Sequence, residues 1–248
     1  MLLVIDIGNT NIVSALYDNN QLSAVRRIET KGDIGAYFQK YTQHGVKAII
    51  ISSVVPNVND SVQSICLDLF DVEPCFVTHD SVPFSLELDK PHEVGADRIV
   101  NAMAVIEQYQ TPAIIVDFGT ATTFDVIDQN GAYIGGAIAP GPNLSLEALH
   151  MAAAQLPDIT IEKPPSIIGK NTLHAMQSGL YWGYVSLIEG IIKRLSLQLG
   201  GKPLIIGTGG LAPLFDNGTD IFDKIDQNLT LKGLVAMHKH VNNKKDAA

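Results

Sequence analysis

Two short stretches collect side chains suited to handling phosphate. Asp6-Ile7-Gly8-Asn9-Thr10-Asn11 places one carboxylate, one glycine and a run of amide and hydroxyl groups just after the apolar residues Leu2 to Ile5. The glycine lets the backbone come close to an oxygen, and Asn9, Thr10 and Asn11 supply donors. Asp6 cannot meet a phosphate directly, because like charges repel. It can hold Mg²⁺, directly or through water, and the cation then bridges to phosphate. Asp117-Phe118-Gly119-Thr120-Ala121-Thr122-Thr123 repeats the arrangement, with hydroxyl and carbonyl groups that can wrap a γ-phosphate and its cation. A third loop, Ile205-Ile206-Gly207-Thr208-Gly209-Gly210, is suited to flat contact with an adenine ring. There is no Gly-x4-Gly-Lys-Ser/Thr and no Gly-x-Gly-x-x-Gly after a strand, so P-loop and Rossmann chemistry have no support.

The elements that carry these loops come in two copies. Val4–Thr10 aligns with Ile115–Ala121 at an offset of 111 residues, and the same offset sets Asp125 against Ser14. Each copy predicts a strand, the acidic loop, a second strand (Ile12–Tyr17 or Thr123–Ile127), a hairpin turn and a third strand (Leu22–Ile28 or Tyr133–Ala139). Alternating α/β follows. In the first half helices are expected over 34–43, 58–70 and 96–109, with strands at 48–52 and 74–77 and a loop over 78–91. In the second, helices are expected over 144–155, 172–199 and 231–241, with an irregular 156–169 and a strand at 203–206. A turn over Gly207–Gly210 and a frayed tail over 242–248 complete the reading. The domains divide as 1–112 and 113–248, facing each other across a cleft.

Composition fits an ordered α/β protein. Of 248 residues 46% are hydrophobic and 17% charged, too apolar for a disordered chain. No apolar run approaches the ~20 residues of a membrane helix. The opening Met1–Asp6 lacks the basic region of a signal peptide, so a cytoplasmic location is expected. Cys66 and Cys75 fit no metal spacing. The net charge is −9, the wrong sign for a nucleic-acid binder. It is compatible with a nucleotide whose phosphates are met by backbone amides and a cation.

Two Asp-x-Gly loops in duplicated halves, with a Gly-Gly loop, resemble the actin, sugar-kinase and Hsp70 superfamily of ribonuclease-H-like ATPases. More narrowly, Asp6–Asn11, Gly95-Ala96-Asp97-Arg98, Val116–Thr122 and Gly179-Leu180-Tyr181-Trp182-Gly183 resemble the type III pantothenate kinase family, in order along nearly the whole chain. Gly-Ala-Asp-Arg is the specific motif. The resemblance implies an α/β protein of two ribonuclease-H-like domains and transfer of the ATP γ-phosphate to pantothenate, the first step towards coenzyme A. It makes Asp97 the general base, Gly95, Ala96, Asp97 and Arg98 the pantothenate loop with Thr172, and Asp6, Ile7, Gly8, Asn9, Thr10, Asn11, Ile12 and Val13 the ATP phosphate segment. Thr120 then touches ATP, and Asp117 holds a monovalent cation such as K⁺ or NH4⁺. Mg²⁺ accompanies ATP near Asp6.

The residues themselves leave some roles open. Asp97 taken alone reads as the cap of helix 96–109, and only the resemblance turns it into the base; Asp117 suits a second divalent ion as well as K⁺. Arg98 either favours the ionised base or faces the pantothenate carboxylate. Asp125 reads as a structural acceptor outside the site. The family often has a tyrosine seven residues before the glycine of Gly-x-Asp-Arg, where this chain has Leu88, so an apolar contact replaces a hydroxyl there. Gly179, Gly183 and Gly190 inside a helix cost roughly 1 kcal/mol each against Ala; core packing or a dimer seam would explain them. The family is dimeric, and a homodimer is expected. Two other readings are a non-catalytic nucleotide-binding regulator, against which Asp6, Asp97, Arg98 and Asp117 argue, and a sugar kinase or polyphosphatase, against which the short chain argues.

Overall fold

The computed structural model describes residues 1–152, 157 and 159–246. The chain forms two compact units. One comprises residues 1–109 together with the segment from Leu229 onward, the other Gln110–Asn228.

In the first unit β1 (Leu2–Ile7), β2 (Asn11–Asp18) and β3 (Gln21–Glu29) form an antiparallel meander, and β4 (Ala48–Ser53) and β5 (Cys75–Phe76) add in parallel, giving the order β3-β2-β1-β4-β5. The β2–β3 turn runs through Asn19 and Asn20 at φ 47° and 64°, positions that asparagine tolerates in a hairpin. Alternate residues of the central strands feed two cores. Leu3, Ile5, Ile7 and Ile51 face α1 (Ile34–Gln39) and α2 (Pro56–Phe70). Leu2, Val4 and Ile50 face α3 (Ala96–Gln108) and α7 (Leu229–Asp246). Ser14 enters the first core satisfied, with the hydroxyls of Tyr37 and Tyr41 at 2.7 and 2.9 Å. Burial pushes both tyrosine pKa values up.

The second unit repeats the plan. β6 (Ala113–Phe118), β7 (Ala121–Ile127), β8 (Tyr133–Pro140), β9 (Leu204–Gly209) and β10 (Lys224–Ile225) give the order β10-β9-β6-β7-β8. Its helices are α4 (Pro142–Ala152), α5 (Thr172–Leu199) and α6 (Ala212–Asp216). The β7–β8 turn is tied by the Asp128 carboxylate, which accepts from the N–H groups of Asn130 and Ala132 at 2.8 Å each. Helix α5 starts on Asn171, whose side chain accepts from the His174 N–H, and stops at left-handed Gly200.

Several expectations are corrected. The last helix does not belong with residues 113–228. Leu231, Leu234, Val235 and Met237 are buried against β1, β4 and α3, and Gly233 lies so close to the Val100 carbonyl that a Cβ would overlap it. The helix also continues to Asp246 instead of fraying from residue 242; residues 247–248 lie outside the described residues. The expected helix 34–43 stops at Gln39 and passes into a 3-10 turn, Thr42–His44, and the loop 78–91 contains 3-10 turns at its ends. Residues Gly207 to Gly209 are strand, not turn, because they pair with Val116, Asp117 and Phe118. Residues 153–156 and 158, covering parts of the expected helix 144–155 and irregular 156–169, lie outside the described residues.

Candidate functional site

The first acidic loop closes the β1–β2 hairpin. Its shape is held by bonds that the sequence reading missed. The Gly8 N–H donates to the Asn11 carbonyl at 2.9 Å. Buried Thr30, just beyond β3, donates its hydroxyl to the Gly8 carbonyl at 2.6 Å and its N–H to the Thr10 carbonyl at 2.9 Å. Asn9 and Thr10 are exposed, whereas Asp6 and Gly8 are half-buried. The Ile7 and Ile12 side chains are fully buried in the core, so these residues offer a ligand only backbone, and Val13 packs towards the opposite core.

The Gly95–Arg98 motif starts α3 beside this loop. Gly95 is the cap residue, with no side-chain cap bond, and Asp97 sits in the first turn. Asp97 is therefore not the helix cap that its sequence position allows. Its Oδ1 accepts from the Arg98 N–H at 2.8 Å and lies so near Gly95 that an added Cβ would stand 2.5 Å from it. That Cβ would also stand 3.4 Å from Val54 Cγ1, and the Val54 N–H donates to the Ile7 carbonyl at 3.0 Å. The head of α3 thus meets the carboxyl ends of β4 and β1, and Asp97 and Asp6 belong to the same end of the first unit. Asp97, in the first turn of α3, gains from the helix N-terminus, which favours negative charge. Leu88 is half-buried in the irregular stretch before the 3-10 turn Pro91–Glu93.

The second loop, in the second unit, is one residue shorter. Ile7 pairs with Ile12, but Phe118 pairs with Thr122, so the offset of 111 holds through Gly8 and Gly119 and is lost beyond. Asp125 accordingly corresponds to Ala15, not Ser14. Asp125 is fully buried and accepts from the hydroxyls of Thr123 and Tyr133 at 3.0 and 2.7 Å, the structural acceptor that was expected. Thr120 is exposed, and its carbonyl accepts from the Gly141 N–H at 3.0 Å. Gly209, at φ +88°, lies against Asp117: a Cβ there would stand 2.7 Å from Asp117 Oδ1 and 2.7 Å from the Phe118 carbonyl oxygen. Only glycine fits that backbone and that contact. The third loop therefore brings main chain to Asp117, and one carboxylate near the Phe118 carbonyl oxygen makes a hard, oxygen-only donor pair of the kind that suits a hard cation. Thr172 is exposed at the start of α5.

Among the described residues no cluster of three or more His, Cys, Asp or Glu side chains could hold a metal. A Mg²⁺ ion carried by a triphosphate needs only one or two protein carboxylates, the remaining positions being phosphate and water. Asp6, half-buried at the mouth of the hairpin, fits that need.

Two mixed sheets of the same strand order, each opening its central hairpin with an acidic glycine loop, define the actin–hexokinase–Hsp70 superfamily. Solved structures share the fold. A Campylobacter jejuni protein described as a Baf family transcriptional activator superposes with TM-score 0.63 at 19% identity, over 97% of this chain and 99% of its own. Component A of Acidaminococcus fermentans (R)-2-hydroxyglutaryl-CoA dehydratase gives TM-score 0.56 at 13% identity, covering 97% and 98%. The sequence is more specific. The family model for type III pantothenate kinase matches residues 2–194. Type III pantothenate kinases of Paramagnetospirillum magneticum and Rhodospirillum rubrum are each 48% identical over 96% of this chain, and 97% and 98% of their own lengths. The chain belongs to the type III pantothenate kinase family.

Proposed function

We propose that this chain transfers the γ-phosphate of ATP to the terminal hydroxyl of pantothenate, with Asp97 as the general base. One observation carries the residue assignment. The Asp97 carboxylate, held at the head of α3 against Gly95, shares the carboxyl end of β1 and β4 with Asp6. A base that must reach an alcohol attacking a phosphate has to sit beside the phosphate loop, and it does not need a high pKa. Phosphoryl transfer is mostly positioning and charge stabilisation. Asp97 accepts the hydroxyl proton as the oxygen attacks, and Arg98 in the same turn offers a planar fork to the substrate carboxylate. Asn9, Thr10 and Asn11 give phosphate backbone and side-chain donors, Gly8 closes the turn and lets the main chain come near, and Thr120 is a further nucleotide contact. Asp6 would hold Mg²⁺ with the triphosphate, and Asp117 beside Gly209 would hold K⁺ or NH4⁺; bound there, the cations would offset phosphate charge.

The working unit is a homodimer in the cytoplasm. Gly179 and Gly183 are exposed on α5, and a Cβ at either would meet nothing within 4 Å among the described residues, which supports a dimer seam over core packing as the reason for them. Ile138, Met151, Ile167 and Ile168 of the same unit are 65–79% exposed. Light scattering on the eluting protein should give twice the 26.7 kDa chain mass.

A coupled ADP-release assay with pantothenate, a hexose and glycerol tests the substrate. Turnover with pantothenate, dependent on Mg²⁺ and raised by K⁺ or NH4⁺, is expected. Turnover with the sugar alone makes the chain a sugar kinase, and none with any acceptor makes it a nucleotide-binding regulator.

A further inference from the structure

Ser52, near the end of β4, is fully buried, and its Oγ has no hydrogen-bond partner among the described residues. Leaving a buried hydroxyl unpaired is costly, and an alanine would fill a strand position without that cost. Ser52 pairs in register with Asp6 on β1. Partners in adjacent strands lie about 4.8 Å apart and turn their side chains to the same face. Val4 and Ile50, two residues earlier on the two strands, share the core that α3 covers through Ile99, Val100 and Met103. Ser52 therefore lies beside Asp6 on the face covered by the helix that begins with Gly95–Arg98. Asp6 has a partner elsewhere in the chain, and Ser52 is not bonded to it in this state.

The repeat keeps the same device. In the second unit Asp117 pairs in register with Thr208 on β9, and Thr208 is 1% exposed. Sequence alignment of the halves does not reveal this, because Ser52 lies 46 residues after its aspartate and Thr208 lies 91 after its own. Strand pairing does: each loop carboxylate has a buried hydroxyl as its neighbour on the central parallel strand.

We propose that Ser52 is a positioning residue of the phosphate site. When nucleotide draws the Asp6 carboxylate towards its cation, the Ser52 Oγ–H donates to the near carboxylate oxygen and fixes its rotamer. The proposal rests on the reading of Asp6 as the Mg²⁺–phosphate carboxylate. It is tested with Ser52→Ala in the full chain, with Ser52→Cys as a second variant that keeps the side-chain shape but has only a weak S–H donor, and Asp6→Asn in parallel. Ser52→Ala should leave the Tm of the free protein unchanged or raised, since no native bond is lost. It should reduce the Tm gain on adding Mg-ATP, and lower kcat about tenfold at saturating pantothenate. If Ser52→Ala folds poorly, Ser52→Cys should show the same loss of the Mg-ATP shift. A lowered Tm of the free variant with a normal Mg-ATP shift means a merely structural hydroxyl and overturns the proposal. So does a fully wild-type response of Ser52→Ala while Asp6→Asn is inactive. A wild-type response of Asp6→Asn overturns the reading of Asp6 itself.

Discussion

Gly95 offers a way to move the proposed base, Asp97, without removing it. Its φ of −63° and ψ of 141° are open to any residue, so alanine there introduces no backbone strain. The added methyl would instead stand 2.5 Å from Asp97 Oδ1. A carbon and an oxygen settle at about 3.3 Å or more, so one of the two must give way by about 0.8 Å. The helix cannot yield easily, because Ala96, Ile99 and Val100 are locked in the core, and Val54 Cγ1 stands 3.4 Å away on the other side. The carboxylate therefore swings out. A displacement near 1 Å in a reacting group costs about 10²-fold in rate. Exchanging a glycine cap for alanine costs about 0.5–1 kcal/mol of stability, or roughly 1–4 °C in Tm. Gly95→Ala should therefore fold and bind ATP, yet show a kcat about 10² lower in steady-state ADP release. A variant with near-wild-type kcat would refute the reasoning, since Asp97 would then be free to move without consequence.

Two further outcomes follow from packing and burial. Gly233→Ala should loosen α7 from α3, because its methyl would overlap the Val100 carbonyl; overpacking of this kind costs about 1–3 kcal/mol, read as a lower urea midpoint. Alkaline pH should also destabilise the protein. Burial raises the pKa of the Cys66 thiol from 9.0 to about 12 and raises those of Tyr37 and Tyr41 above 10.0. The folded chain keeps these protons where the unfolded chain loses them, so the stability they contribute is complete below about pH 9 and is lost as pH rises towards 12. Urea midpoints should be flat from pH 7 to 8.5 and fall above pH 9, with a shallower fall in Cys66→Ala relative to its own value at pH 7.

Much of this site was legible because its chemistry is local. Asp6, Gly8, Asp117 and Gly119 announce themselves by residue type, and the meanders around them by alternation and turn residues such as Asn19-Asn20 and Asp128–Gly131. What stayed hidden depends on partners distant in sequence. The sequence shows a helix over 231–241, but not that Gly233 fits over Val100 in the first unit. The one-residue difference between the loops is invisible until Ile7 and Phe118 are seen with their partners. Thr30 and Ser52 carry no motif, and the Gly-Gly loop does not show that Gly209 lies against Asp117; each matters through what lies beside it. Asp97 is intermediate. Its sequence suggested both a cap and a base, and the structure removes the cap by giving that position to Gly95.

The central claim is that the first-turn carboxylate of α3 takes the proton of pantothenate's attacking hydroxyl. ADP release from Mg-ATP with saturating pantothenate, compared between the wild-type chain and Asp97→Asn, tests it most directly. A general base contributes about 10²–10⁴ in rate, so the variant should fall by that factor while its Tm and its ATP-induced Tm shift hold. Equal rates for the two proteins would contradict the account.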